Sequence, residues 1–124
     1  MNKEDKSLLF QDLSSRLPYH VRVKVWLKDG TTEEGTLDLE HNYADVLLDA
    51  FYYNKIKDIK PYLRPMSSMT DVEKHIFDTL TRGYTIHQQT ALFDWINAHH
   101  FDYRELISKN LAIEVTKENN PYKE

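Results

Sequence analysis

The sequence predicts an α+β protein: an amino-terminal helix, a small antiparallel barrel-like sheet and a three-helix carboxy-terminal part. Three observations predict it. Apolar residues recur at helical spacing up to Leu17, the period drops to two from His20 onward, and helix-capping signatures take over after Pro65.

Leu8, Leu9, Leu13 and Leu17 fall on one side of a helix over about Lys3 to Leu17, which Pro18 ends. Val21, Val23, Val25 and Leu27 then alternate with Arg22, Lys24, Trp26 and Lys28. This is the clearest strand. Asp29 and Gly30 supply a turn, and Thr31 to Glu40 alternates again. The register follows from the faces. A two-residue loop would pair Arg22 with Leu37 and mix charged with apolar positions. A three-residue loop over Lys28, Asp29 and Gly30, with Gly30 left-handed, pairs Val21 with Leu37, Lys24 with Glu34 and His20 with Asp38. The basic face of the first strand is then answered by its neighbour, so a solvated charge ladder outweighs a nucleic-acid surface there.

Asp45 to Tyr53 reads as a third strand, with Val46, Leu48 and Ala50 opposing Leu47 and Phe51. Ile56 to Leu63 follows as a shorter strand or two strand fragments interrupted by Pro61, which belongs at an edge or bend. Thr70 with Glu73, and Thr85 with Gln88, are capping boxes that open two helices, the second running to about His99. Asp102 with Glu105 opens a third, Tyr103 to Lys109, where Asn110 is a left-handed cap and Leu111 folds back onto it. Ala112 to Val115 adds an edge strand. The expected organisation is residues 1–65 as helix plus small β unit, 66–115 as a helical unit packed on it or merged with it in one domain, and 116–124 as a flexible tail.

Composition sets the outer bounds. The 124 residues are 40% hydrophobic with only 3 Gly and 4 Pro, which excludes disordered and fibrous classes. A net charge of −4 argues against avid nonspecific binding to DNA or anionic lipid. The absence of cysteine removes thiol nucleophiles, disulfides and cysteine zinc sites. Leu8 to Phe10 is too short an apolar run for a signal-peptide core or membrane span, so the expected location is cytoplasmic.

The strings LLFQDLSSRLPY, KPYLRPMSSMT and WINAHHFDYRELISKNLAIEV, in that order, resemble a family of small uncharacterised proteins of gut Bacteroidales genomes and prophages. That resemblance implies a mobile-element context and no particular chemistry. In the first half, a leading helix followed by VRVKVWLKDG, EEGTLDL and HNYADVLLDAFYY is similar to the element order of Sm-like and SH3-like small barrels. The resemblance implies RNA binding through the loop at Asn42. The Arg-Gly motif of the Sm-like family has no counterpart, since Tyr62, Leu63, Arg64 and Pro65 occupy that region.

Four chemistries have candidate residues in the chain, and each has a simpler structural role beside it. Nucleic-acid binding would use Asn42, Lys55, Lys57, Lys60 and Arg64 beside Tyr52, Tyr53 and Tyr62: cations for phosphates, aromatic faces for bases. Lysines alternating along a strand are more simply a solvated edge. Metal-assisted hydrolysis would use His99, His100 and Asp102, with His87 or His75 as a further ligand, but adjacent helical residues diverge by about 100° and Asp102 has a capping role. Asp45 and Asp49 on one strand would stand about 13 Å apart, too far to share a proton. Ser67 and Ser68 lack a nucleophile elbow. The sequence therefore argues for a non-enzymatic protein-interaction module without cofactor or metal. Its expected contact surface is Trp26, Phe51 and Tyr53, with self-association left open.

Overall fold

A computed structural model describes residues 2–37, 43–83 and 85–122. Helix α1 (Lys3–Ser15) starts where Asn2 Oδ1 accepts from the Asp5 amide at 2.7 Å. Strands β1 (Val21–Leu27) and β2 (Thr32–Leu37) form the expected hairpin. Gly30 has φ +92°, and the Leu27 amide donates to the Thr31 carbonyl at 2.8 Å. Val21 pairs with Leu37 and Lys24 with Glu34, so the three-residue loop holds; Asp38 lies outside the described residues.

The third expected strand is instead helix α2 (Tyr43–Phe51). The physical reason is in the spacing. As a strand the segment exposes two apolar faces that both need cover, whereas as a helix Val46, Leu47, Ala50 and Phe51 share one face, and all four pack on the core. Leu48 is left outside, 44% exposed.

Strand β3 (Ile56–Leu63) is interior, not an edge: it pairs antiparallel with β1 and parallel with β4 (Ile113–Glu114). The sheet order is β2-β1-β3-β4, mixed and open, which corrects the antiparallel barrel. Pro61, expected at an edge or bend, is tolerated inside because backbone direction alternates. The Lys60 and Tyr62 groups face β1, so the proline nitrogen points the other way, where β4 begins only opposite Tyr62. One rung further along, the phenol of Tyr122 stands between β1 and β3: it accepts from the Arg22 amide at 2.9 Å and donates to the Tyr62 carbonyl at 2.7 Å.

Helices α3 (Asp71–Thr81) and α4 (Ile86–Ala98) begin at the two complete capping boxes. Gly83 lies between them because a Cβ there would collide with Gln88. Helix α4 ends with His100 left-handed at φ +62°, the His100 amide donating to Asn97 O and the Phe101 amide to Ile96 O, both at 3.1 Å. Phe101 and Ile96 then share one apolar cluster.

The third carboxy-terminal helix does not form. Residues 103–110 are successive turns, with Glu105 at φ +60° interrupting any helix and the Asp102 carboxylate accepting the Leu106 and Ile107 amides at 2.8 and 2.9 Å. Asn110 is nevertheless left-handed, and Leu111 returns its amide to Leu106 O at 2.9 Å, as the sequence predicts.

Two apolar cores result. The first is aliphatic: Leu9, Leu13, Val21, Val23, Leu37, Ile59 and Leu63, joined by Leu106 and Leu111 from the returning chain. The second is aromatic: Met69, Ile96 and Phe101 beneath Phe77, Trp95 and Tyr103. Phe101 is their joint. Its carbonyl accepts from fully buried Arg16 at 2.7 Å, and its ring lies 4.2 Å beneath the Arg64 guanidinium.

Candidate functional site

The three expected contact residues are divided between opposite faces of the sheet. Val21, Val23 and Val25 turn to the core, so Trp26 turns outward, with the ammonium groups of Lys24 and Lys60 at 5.4 and 5.6 Å from its ring centre. Opposite Lys24 stands Glu34, whose carboxylate is hydrogen-bonded by the Tyr62 hydroxyl. Burial and that bond hold the Tyr62 phenol near 12 instead of 10.

Phe51 and Tyr53 lie on the other side, at the end of α2. Phe51 packs on the aliphatic core and meets Phe10 of α1 edge to face at 5.4 Å. Tyr53 is 55% exposed, contacts the Tyr52 ring at 5.0 Å and carries the Lys55 ammonium at 5.4 Å. Leu48 is one turn from Tyr52, whose amide returns to its carbonyl at 2.9 Å. Phe10 with Phe51 between α1 and α2, and Tyr52 with Tyr53 just past the end of α2, are two ring pairs; with Leu48 they make up the aromatic ridge of α1 and α2. Leu48 and Phe10 are the residues that alternation missed. A 3.6-residue period through 46, 47, 50 and 51 was the available signal.

The cations expected on nucleic acid do not converge. Lys55 belongs to the ridge. Arg64 is held by Glu73 through bonds of 2.7 and 2.8 Å, which draw the Glu73 carboxyl down to about 2. Lys57 and Lys60 remain together, beside Lys109, in a groove at the end of β3. Asn42 lies outside the described residues.

The histidines considered for metal diverge. His99 Nδ1 is 2.9 Å from the Trp95 carbonyl, while the His100 ring stacks on Tyr122 at 3.7 Å. Burial, aided by Arg16, drags the His100 pKa to about 4. Asp102 spends both carboxylate oxygens on backbone amides. Ser68 donates to Pro65 O at 2.7 Å. Among the described residues, no group of three or more His, Asp and Glu side chains is placed to hold a metal ion.

A buried polar cluster also escaped the sequence reading. Arg16 forks onto Asp12 at 2.8 and 3.0 Å, and Arg104 adds a third bond to the same carboxylate at 2.9 Å, with Asp12 and Arg16 both fully buried. This cluster sits at the joint of the two cores. Arg16 also donates to the Phe101 carbonyl, and its Nη1 is buried with no hydrogen-bond partner among the described residues.

Comparison with family models, with curated proteins and with solved structures finds no match. No helix among the described residues is long and apolar enough to cross a membrane.

Proposed function

We propose that this chain is a non-enzymatic protein-interaction module, an adaptor or regulatory unit, whose contact surface is the aromatic ridge of α1 and α2. The exposure of Tyr52 at 75%, in ring contact with Tyr53 and one turn from exposed Leu48, carries the reading: grouped exposed apolar side chains mark partner surfaces, and aromatic residues dominate their energetics. Trp26 belongs to a different face and leaves the contact set.

The test is capture of the protein from its native cells beside the triple variant Leu48→Ala, Tyr52→Ala and Tyr53→Ala. Phe51 is spared because it supports the core. Loss of a recovered partner, with an unchanged melting temperature, is expected. Retention of every partner refutes the ridge.

A second reading, a single-strand nucleic-acid binder of Sm-like or SH3-like kind, draws support from Trp26 between Lys24 and Lys60 on the outward sheet face. It predicts oligonucleotide affinity that falls steeply with salt and collapses in Trp26→Ala. Salt-independent binding removes it.

A further inference from the structure

Cations in this protein divide by whether a carboxylate answers them. Arg16, Arg64 and Arg104 are each ion-paired, with Asp12 or Glu73. Lys57, Lys60 and Lys109 instead line one groove of about 330 Å³, and among the described residues none of the three ammonium groups is ion-paired. The Lys60 ammonium donates to Asn110 Oδ1 at 3.1 Å and stands 5.6 Å from the Trp26 ring centre, with no carboxylate partner among the described residues. With its oxygen so engaged, Asn110 keeps its amide NH₂ as a further donor.

The groove is assembled from three distant segments. Asp5 comes from the first turn of α1, Lys57, Asp58 and Lys60 from β3, and Lys109 to Leu111 from the left-handed cap near the chain's return. That cap is held by two backbone bonds, Asn110 to Ile107 O at 3.0 Å and Leu111 to Leu106 O at 2.9 Å, and by Leu111 buried in the aliphatic core. The donors are therefore presented by braced backbone, as a binding site requires. An adjoining hollow of about 200 Å³ shares Lys57 and Asp58 and adds Lys6.

We propose that this groove binds a compact phosphorylated ligand, a di- or triphosphate carried with Mg²⁺. Ammonium groups without carboxylate partners lining one groove match phosphate oxygens, to which charge-assisted bonds are strong. The size lies at the lower end of small-molecule sites. It fits a few phosphates, not a strand or helix of another protein. Asp5 and Asp58 oppose a bare polyanion but suit its magnesium complex, since Mg²⁺ is held by one or two carboxylates together with the ligand's own phosphates. None of the ridge residues lines the groove itself, and Phe51, which lines the adjoining hollow, is left unchanged in the variants that test this proposal.

The experiment is titration calorimetry of the full chain with magnesium pyrophosphate and with magnesium ATP, at about 0.1 M salt so that diffuse attraction is screened. Saturable binding is expected, weakened about tenfold or more in Lys60→Ala with Lys109→Ala, as loss of charge-assisted bonds dictates. Chelation of magnesium should weaken it as well. Lys28→Ala with Lys117→Ala removes the same charge at exposed positions elsewhere and should leave affinity unchanged. Melting temperatures of both double variants check the fold. No binding into the millimolar range overturns the proposal, as does equal weakening by the two double variants. Binding of a single-stranded oligonucleotide with pyrophosphate silent overturns it too, and passes the groove to the nucleic-acid reading.

Discussion

The two cores are built on different principles. Around the sheet, helices α1 and α2 and the returning segment bury aliphatic side chains from every quarter of the chain. Around α3 and α4 there are, among the described residues, three buried apolar residues in the cluster, and α3 contributes none of them. Stacked rings replace interdigitated aliphatics: Trp95 lies 5.6 Å from Phe101 and 6.4 Å from Phe77. Val72 and Ile86 remain 70% and 79% exposed. The helical pair is thus stabilised by its attachment at Phe101 more than by its own interior, and regions with few buried contacts open at lower free energy than the rest.

The severest way to break this comparison is at the joint. Asp12→Ala leaves Arg16 buried without its counter-charge and releases Arg104, so it should cost about 3–5 kcal/mol and loosen both cores together. Urea unfolding followed by fluorescence and by circular dichroism should then move as one. Two separated transitions would show that the cores do not communicate through Arg16.

Cavities sharpen the comparison next. Leu63→Ala and Ile96→Ala each remove buried volume at a loss of about 2–5 kcal/mol, but from different cores. Hydrogen exchange should quicken throughout in Leu63→Ala and mainly in α3 and α4 in Ile96→Ala. Equal quickening of β1 amides by both would contradict the attachment.

Acid has the smallest effect. His100 is depressed from 6.5 to about 4, so its contribution is whole above pH 6.5 and is lost as pH falls toward 4, when the unfolded chain takes up a proton the folded one refuses. The loss is on the order of 2 kcal/mol. Glu73, lowered from 4.5 to about 2 by its bonds to Arg64, contributes above pH 4.5 and is lost between 4.5 and 2. Both groups lie at or near the aromatic core, so urea midpoints should fall in two steps, with α3 and α4 loosening first. His100→Gln should flatten the upper step; a slope that survives it would assign that step elsewhere.

Local patterns in the chain were readable wherever one residue's neighbours decide its conformation. The hairpin register, both capping boxes and the Asn110 turn are of this kind, because each depends on residues within a few positions. The α2 segment misled because alternation and helical spacing both suit DVLLDA, and the arbiter is how many apolar faces the rest of the molecule can cover. The candidate site was legible only in pieces. Phe51 and Tyr53 were visible, but their separation from Trp26 depends on the helix. Lys57 and Lys60 were visible, but Lys109 and Asn110 join them through a contact about fifty residues distant in sequence, which no spacing announces.

The phenol of Tyr122 between the Arg22 amide and the Tyr62 carbonyl has a consequence in time. A nascent chain leaving the ribosome carries β1, β2 and β3 long before residue 122 emerges, so two interior strands wait for the closing of a rung that only the distal segment supplies. Loss of Tyr122 removes a tie between strands in the middle of the sheet, so a change about sixty residues beyond β3 is felt as loosening at the centre.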